Sequence, residues 1–139
     1  MEWVLDSSFA LAWGLPDETS LHAQPFLEHL SERDVLWVPA LWWYEISNAL
    51  VVAQRRHRLR EADRFSLLDL YGELPLHTDT HLTPETVGRL QELAHEHGLS
   101  AYDAAYLELA IRKSASLATL DRTLANAARR VGIALKNDQ

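Results

Sequence analysis

Four acidic residues stand where they could do chemistry together: Asp6, Glu45, Asp103 and Asp121. Carboxylates at close quarters repel one another, which raises their pKa values unless a divalent cation neutralises the charge. Mg²⁺ prefers oxygen ligands and completes its shell with waters and substrate phosphate, whereas zinc favours histidine or cysteine. A cluster of acids alone therefore indicates phosphodiester chemistry that depends on Mg²⁺ or Mn²⁺.

Three of these acids also have a purely structural interpretation. Asp6 and Asp121 each follow an apolar run and precede a helical pattern, so each could cap the first turn of a helix. Asp103 occupies the third position of a capping-box pattern that begins at Ser100, where an acid is favoured for local reasons. Taken one at a time, these three residues leave both interpretations open.

Glu45 is less easily explained by local structure. It is the only charged residue in the run 38–53, whose sequence is VPALWWYEISNALVVA. A carboxylate among apolar side chains at helical spacing is costly unless it is paired, hydrogen-bonded or bound to metal. The alternative is a short exposed stripe on that helix, with Glu45 and Asn48 facing water.

The composition is that of an ordinary globular protein, with 47% hydrophobic and 24% charged residues in 139. We expect one domain spanning residues 1–139. The absence of cysteine excludes disulfides, thiolate zinc sites and cysteine nucleophiles. The sequence does not begin with a basic segment followed by an apolar one, and it contains no apolar run long enough to span a membrane. We therefore expect a cytoplasmic protein.

The net charge of −7 argues against broad electrostatic attraction to nucleic acid. Catalytic carboxylates contribute to that charge, and a bound cation would neutralise part of it. A dense basic run is formed by Arg55, Arg56, Arg58 and Arg60 with His57. It could contact phosphates, or it could be a solvated helix end whose arginines complement the helix dipole.

Apolar runs and helical patterns alternate along the chain. We predict strands at 3–5, 35–38, 76–78, 117–120 and 133–135. We predict helices at 9–13, at 18–31 with a kink or fresh start at Pro25, at 39–58, 61–71, 84–98, 104–111 and 121–131. This order predicts a three-layer α/β/α sandwich with a central, mostly parallel sheet of about five short strands. In such sheets, sites form beyond the carboxyl ends of the strands, where Asp6 and Asp121 are expected.

Four segments carry a resemblance to a known family, and together they span nearly the whole chain. They are Val4-Leu5-Asp6-Ser7-Ser8-Phe9-Ala10-Leu11-Ala12-Trp13, Val38-Pro39-Ala40-Leu41-Trp42-Trp43-Tyr44-Glu45-Ile46-Ser47-Asn48-Ala49-Leu50, Leu99-Ser100-Ala101-Tyr102-Asp103-Ala104-Ala105-Tyr106 and Leu117-Ala118-Thr119-Leu120-Asp121. In this order and spacing they resemble the PIN-domain nucleases, in particular the VapC-type ribonuclease toxins of type II toxin–antitoxin pairs.

The resemblance implies a metal-dependent endoribonuclease that cleaves RNA, often structured RNA such as tRNA or rRNA. It implies that Asp6, Glu45, Asp103 and Asp121 bind Mg²⁺ or Mn²⁺ and catalyse, with Ser7 and Thr119 as hydroxyls that orient them. The cation would activate a water and stabilise charge on the phosphate, leaving a 5′-phosphate and a 3′-hydroxyl. The resemblance also implies a homodimer and a cognate VapB-type antitoxin.

One departure concerns the residues after the last aspartate. Some relatives carry a further acid there, whereas Arg122-Thr123-Leu124 follow Asp121 here. This puts occupancy of a second metal position in doubt. Arg122 joins the basic run as a candidate contact to RNA.

Two other functions compete with the nuclease. The first is a noncatalytic PIN-fold protein that binds an antitoxin and acts in operon autoregulation. The second is a phosphatase or phosphoaspartate domain using Asp6, which predicts a second acid beside it, yet Ser7, Ser8 and Phe9 follow. The histidine pairs His77/His81 and His95/His97 offer a weaker metal site. Other strong ligands are not close to the first pair in sequence, and the second pair lies at a predicted helix end, where histidine complements the helix dipole.

Overall fold

Short strands alternate with helices in the computed structural model, which describes residues 1–15 and 23–136. The strands are β1 (Glu2–Leu5), β2 (Val35–Pro39), β3 (Leu76–Asp79) and β4 (Ser116–Ala118). The helices are α1 (Ser7–Gly14), α2 (Ala23–Glu28), α3 (Ala40–Arg55), α4 (Glu61–Gly72), α5 (Pro84–His97), α6 (Ala101–Lys113) and α7 (Arg122–Arg130).

The four strands form one parallel sheet in the order β3-β2-β1-β4. Trp3 of β1 lies opposite Leu36 of β2, and Val4 lies opposite Leu117 of β4. Helix α6 packs on β1, β2 and β4 with α5 and α7 beside it, while α1 packs with α2 and α3. The predicted α/β/α class is confirmed. The predicted fifth strand at 133–135 is reduced to a single parallel bridge between Leu117 and Leu135.

The strand order fixes where a site can form. From β1 the chain moves outward through β2 to β3, and then returns to place β4 on the other side of β1. The connections therefore diverge beyond the carboxyl ends of β1 and β4, and this point is where parallel sheets open a crevice. Asp6 follows β1 directly, and Thr119 follows β4 directly.

Local chemistry at the helix ends explains several predicted boundaries. The Thr83 hydroxyl accepts a hydrogen bond from the Thr86 amide at 3.2 Å, and Pro84 begins α5. Gly98 ends that helix in the left-handed region at φ 65°, as expected for a C-terminal glycine. The Ser100 hydroxyl caps α6 by accepting from the Asp103 amide at 3.0 Å.

Two predicted helices are shorter than their patterns suggested. Within the described residues, the helix predicted at 18–31 covers only Ala23–Glu28, and its first part lies outside the described residues. Pro25 falls in the first turn of the described helix, where proline is tolerated. Helix α3 ends at Arg55, before the predicted Arg58, because His57 adopts a left-handed φ of 59° and the Arg58 amide closes back on the Ala53 carbonyl at 2.8 Å.

The core is a single apolar cluster that surrounds the sheet. The inner strand residues are fully or almost fully buried: Val4, Leu5, Leu36, Val38, Leu117 and Ala118. None of the helices within residues 1–15 and 23–136 is long and apolar enough to cross a membrane.

Helix α1, which carries the first serines of the candidate site, is held against α4 by Tyr71. The buried Tyr71 hydroxyl donates to the Ala10 carbonyl at 2.9 Å. Gly14 provides the room for this contact, because a Cβ on residue 14 would collide with the Tyr71 hydroxyl and press on Leu67.

We therefore expect Gly14→Ala to lower the free energy of unfolding by about 1–3 kcal/mol through overpacking. Urea unfolding followed by circular dichroism measures the change. Gly72→Ala is the matched control, since its added Cβ would meet no atom within 4 Å. Equal stability of the two variants would show that α1 and α4 accommodate the added methyl group without a loss of stability.

Candidate active site

Asp6 occupies the junction between β1 and α1 at the crevice. Its amide donates to the Ala118 carbonyl at 2.9 Å, which ties the junction to the end of β4. Among residues 1–15, its side chain makes no capping hydrogen bond to α1. Instead, Asp6 Oδ2 accepts from the Thr119 hydroxyl at 2.6 Å and from the Ser8 hydroxyl at 2.7 Å. The simple capping interpretation of Asp6 therefore fails.

Burial governs the electrostatics of Asp6, whose exposed fraction is 5%. Loss of solvation raises the pKa of this carboxyl from 3.8 to about 6, although the hydrogen bonds from Thr119 and Ser8 oppose the rise. Repulsion from Glu45 and Asp103 adds to it. Perturbed pKa values cluster at functional sites, and Asp6 lies at the carboxyl end of a parallel strand, where such sites form.

Glu45 reaches the same region from α3. It is partly buried, between the buried Ile46 and the exposed Tyr44, and it is not part of a fully exposed stripe. Its Oε1 atom accepts a hydrogen bond of 2.5 Å from the hydroxyl of Tyr106 on α6. Burial, the neighbouring Asp6 and the hydrogen bond to Glu45 all raise the pKa of Tyr106 far above its usual range, so this hydroxyl stays a donor.

Asp103 and Asp121 complete the set from the starts of α6 and α7. Burial first, and repulsion from Asp121 second, raise the pKa of Asp103. Asp121 Oδ1 accepts from the Leu124 amide at 2.8 Å, so the capping interpretation holds for this oxygen. The Asp121 amide in turn donates to the Thr119 hydroxyl at 3.0 Å. The four acids thus form a chain of electrostatic neighbours around one edge of the sheet.

The fit of this set to a cation rests on its donors. All four side chains offer carboxylate oxygens, which Mg²⁺ and Mn²⁺ prefer. Among the described residues, no group of three or more histidine or acidic side chains is arranged so as to hold an ion by itself. A cation that keeps several waters and takes only one or two carboxylates directly suits such an arrangement, and Mg²⁺ binds in this way.

Two residues of the site differ from the sequence-based expectation. Ser8 is the second donor to Asp6, whereas the predicted Ser7 lies beside the Tyr106 hydroxyl. Tyr106 was missed altogether. Its spacing places it one helical turn after Asp103 and so on the same face of α6, but this spacing does not indicate its pairing with Glu45.

The candidate RNA-binding arginines divide into two groups. Arg122 is exposed and follows Asp121 directly. The run at Arg55, Arg56, Arg58 and Arg60 begins ten residues after Glu45, about 15 Å away along the helix axis. Arg60 Nε donates to Asp63 at 2.8 Å. Of these arginines, Arg122 stands beside the acids.

The raised pKa of Asp6 has a consequence for stability. The folded protein binds this proton more tightly than the unfolded chain does, so the associated stability is present below about pH 4 and is lost as the pH rises through 6. We expect metal-free Asp6→Asn to be more stable than the parent at neutral pH, by at most about 3 kcal/mol. The advantage should shrink as the pH falls toward 4, because the parent carboxyl is then neutral.

Thermal unfolding in EDTA at neutral and acidic pH measures this difference. Asp69→Asn serves as the control, since Asp69 is an exposed aspartate on α4. A stability gain for Asp6→Asn that does not change with pH would contradict the assignment of a buried, repelled carboxylate.

Comparison with known proteins agrees with this architecture. The family model described as "PIN domain" matches residues 3–130. Ribonuclease VapC3 of Pyrobaculum aerophilum is 34% identical over 125 residues, which cover 90% of this chain and 93% of that protein.

Two solved structures share the fold. PAE2754 from Pyrobaculum aerophilum has a TM-score of 0.72 at 24% identity, over 99% of this chain and 85% of that one. VapBC2 from Rickettsia felis, bound to a DNA fragment from its promoter, has a TM-score of 0.69 at 16% identity, over 97% of each chain. With a family model over most of its length and a VapC relative at this identity, the chain belongs to the PIN-domain family.

Proposed function

We propose that this protein is a metal-dependent endoribonuclease, the toxin component of a VapBC-type toxin–antitoxin pair. The observation that carries the proposal is the buried Asp6 carboxylate, which is held by Thr119 and Ser8 and repelled by other acids at the crevice of a parallel sheet. Such an arrangement is costly in a free protein and becomes favourable when a cation neutralises it. The ribonuclease relative supports RNA as the substrate.

Asp6, Glu45, Asp103 and Asp121 would hold Mg²⁺ or Mn²⁺ at this crevice. A bound cation supplies an activated water at neutral pH and stabilises charge on the phosphate, with a 5′-phosphate and a 3′-hydroxyl as products. The protein's own contribution is orientation. Thr119 and Ser8 donate hydrogen bonds to Asp6 Oδ2, and Tyr106 donates one to Glu45 Oε1. Within the described part of the chain, the other oxygen of each carboxylate would therefore be available to a cation.

The expected partner is a VapB-type antitoxin, in line with the fold shared with VapBC2. We infer a homodimer from the family resemblance, and structured RNA such as tRNA or rRNA as the substrate.

The first expected result is cleavage of RNA by the purified, antitoxin-free protein. Incubated with total RNA and with a tRNA pool, it should produce discrete cuts with Mg²⁺ or Mn²⁺ and none with EDTA. Asp6→Asn should lower the cleavage rate by at least about 100-fold, since it removes one charge from the cluster that would hold the cation. Mapping the cut ends identifies the products.

The chemical groups at the ends of the cut RNA also test the proposed mechanism. Recovery of a 2′,3′-cyclic phosphate would contradict water as the nucleophile, because that product requires attack by the internal 2′-hydroxyl. If folded protein cuts nothing in either pool, the noncatalytic antitoxin-binding role becomes the better interpretation.

Tyr106→Phe should weaken the cation site without unfolding the protein. The substitution removes only the hydroxyl that holds Glu45 Oε1, and loss of such an outer-shell partner typically lowers metal affinity about 10-fold. Mn²⁺ binding measured by electron paramagnetic resonance gives this change independently of activity.

Tyr102→Phe is the matched control, because Tyr102 lies on the same helix with 66% of its surface exposed. Its Mn²⁺ affinity should equal that of the parent protein. If Tyr106→Phe also binds Mn²⁺ as the parent does, Tyr106 does not position Glu45 for a cation.

A further inference from the structure

A mostly apolar groove of about 390 Å³ lies between the start of α3, the segment that follows β3, and helices α5 and α6. Its apolar walls include Leu41, Leu82, Tyr102 and Ala105. Leu82 and Tyr102 expose 68% and 66% of their surfaces. None of the four acids lines this groove, so the proposed cation site does not account for it.

The rim of the groove adjoins the acidic site through two helices. On α3, Leu41 precedes Glu45 by four residues. On α6, Tyr102 precedes Tyr106 by the same number. Residues at this spacing lie one above the other on a helix face, about 6 Å apart. Because the later residues of the two pairs are hydrogen-bonded to each other, the earlier ones form the next layer between the same helices, and the groove begins one helical turn from the site.

The charged residues of the groove form one network of ion pairs. Arg112 donates to Asp79 at 3.0 and 2.7 Å and to Glu108 at 2.7 and 3.1 Å. Hydrogen bonding to Arg112 holds the pKa of Asp79 below its usual range, so this carboxylate stays ionised. The bonds use four of the five guanidinium N–H groups, whereas each carboxylate oxygen keeps a second lone pair. The network therefore offers more acceptors than donors to a ligand.

We propose that this groove binds one unpaired base of the RNA substrate, stacked on Tyr102 with its amino group directed toward Asp79 and Glu108. The proposal rests on the nuclease function and adds to it a subsite that distinguishes bases. Exposed aromatic rings bind unpaired bases by stacking, and carboxylates accept hydrogen bonds from base amino groups. The volume of the groove falls within the range of small-ligand pockets. A base held there would belong to a nucleotide close to the phosphate at the acids.

An apolar side chain, from a protein partner or from a second copy of this chain, is the competing occupant. Such a side chain would match the walls but would leave the carboxylate acceptors of the network without donors. A phosphate is disfavoured, because Asp79, Glu108 and Arg112 together carry a formal charge of −1. A base combines apolar faces with N–H donors on its edge, so it suits both the walls and the network.

Tyr102→Ala tests the stacking, with Tyr44→Ala as the matched control. Tyr44 is also a highly exposed tyrosine next to one of the acids, but it does not line the groove. Both variants are made in the Asp6→Asn background, so that RNA stays intact, and circular dichroism confirms that each is folded.

The probes are fluorescein-labelled single strands of oligocytidine and oligouridine, each of about 12 nucleotides, and binding in Mg²⁺ is followed by anisotropy. Cytidine carries an amino group where uridine carries a carbonyl oxygen, so the two strands compare the edge of the base at constant size.

The Asp6→Asn protein should bind oligocytidine about 10-fold more tightly than oligouridine. Adding Tyr102→Ala should weaken oligocytidine binding by at least about 10-fold, because the stacking surface is lost. Tyr102→Phe, which keeps the ring, and Tyr44→Ala should leave it unchanged. Ala105→Leu, which fills the groove beside Tyr102, should abolish the preference for cytidine.

Equal affinity of the Asp6→Asn protein for the two strands, or binding too weak to measure, would overturn the proposal. So would normal binding by Tyr102→Ala, or an equal loss in Tyr44→Ala. Unchanged RNA binding by Tyr102→Ala together with loss of antitoxin binding or of a dimer would assign the groove to a protein instead.

These binding measurements are separate from the cleavage assay. If the unmodified protein cuts RNA and Tyr102→Ala binds both strands normally, only the base subsite is wrong. If the unmodified protein cuts nothing, the nuclease proposal fails whatever the binding measurements show.

Discussion

One buried charge, that of Asp6, is a cost that the packing of the rest of the structure must offset. Asp6 lies at the end of the central strand β1, almost without contact to solvent, and its pKa is raised to about 6. Two hydroxyl groups bind one of its oxygens, yet burial has the larger effect. The rise of this pKa from 3.8 to about 6 corresponds to roughly 3 kcal/mol. This is a substantial fraction of the roughly 5–15 kcal/mol by which a typical domain is stable. The fold tolerates this cost because the surrounding sheet and core are closely packed.

The helices position the other acids near Asp6, and α6 contributes more to this arrangement than any other single helix described here. Its first turn carries Asp103, and the next turn carries Tyr106, which reaches across to Glu45 on α3. One helix thus contributes an acid and also restrains an acid from another element. Because α6 packs on β1, β2 and β4, its position relative to Asp6 is set by the core and not by the site itself. Repulsion among the acids is therefore opposed by apolar packing elsewhere.

The sequence was sufficient for features that depend on near neighbours. Caps at Ser100 and Asp121 could be predicted because each involves a side chain and an amide three residues away. The alternation of strands and helices also predicted the parallel sheet.

Contacts between residues far apart in sequence could not be predicted in this way. The hydrogen bond from Thr119 to Asp6 spans 113 residues, and only the family resemblance pointed to it. The pairing of Tyr106 with Glu45 spans 61 residues and depends on how two helices pack, so no local pattern predicts it. Ser7 and Ser8 are adjacent and chemically alike, and the direction of the first turn of α1 decides which one faces Asp6. Sequence patterns predict which residues are buried, but they do not predict which buried groups contact one another.

The proposed RNA substrate is a polyanion, and the net charge of the protein limits how such a substrate could bind. A net charge of −7 gives little long-range attraction to RNA, so association cannot depend on a broad basic surface. Under the proposed function, RNA would be bound through a few close contacts beside the acids. Arg122 is exposed and follows Asp121 directly at the start of α7. Asp121 and Arg122 place opposite charges at adjacent positions, so a cation held by the acids, as proposed, would lie next to a side chain that is able to bind a phosphate.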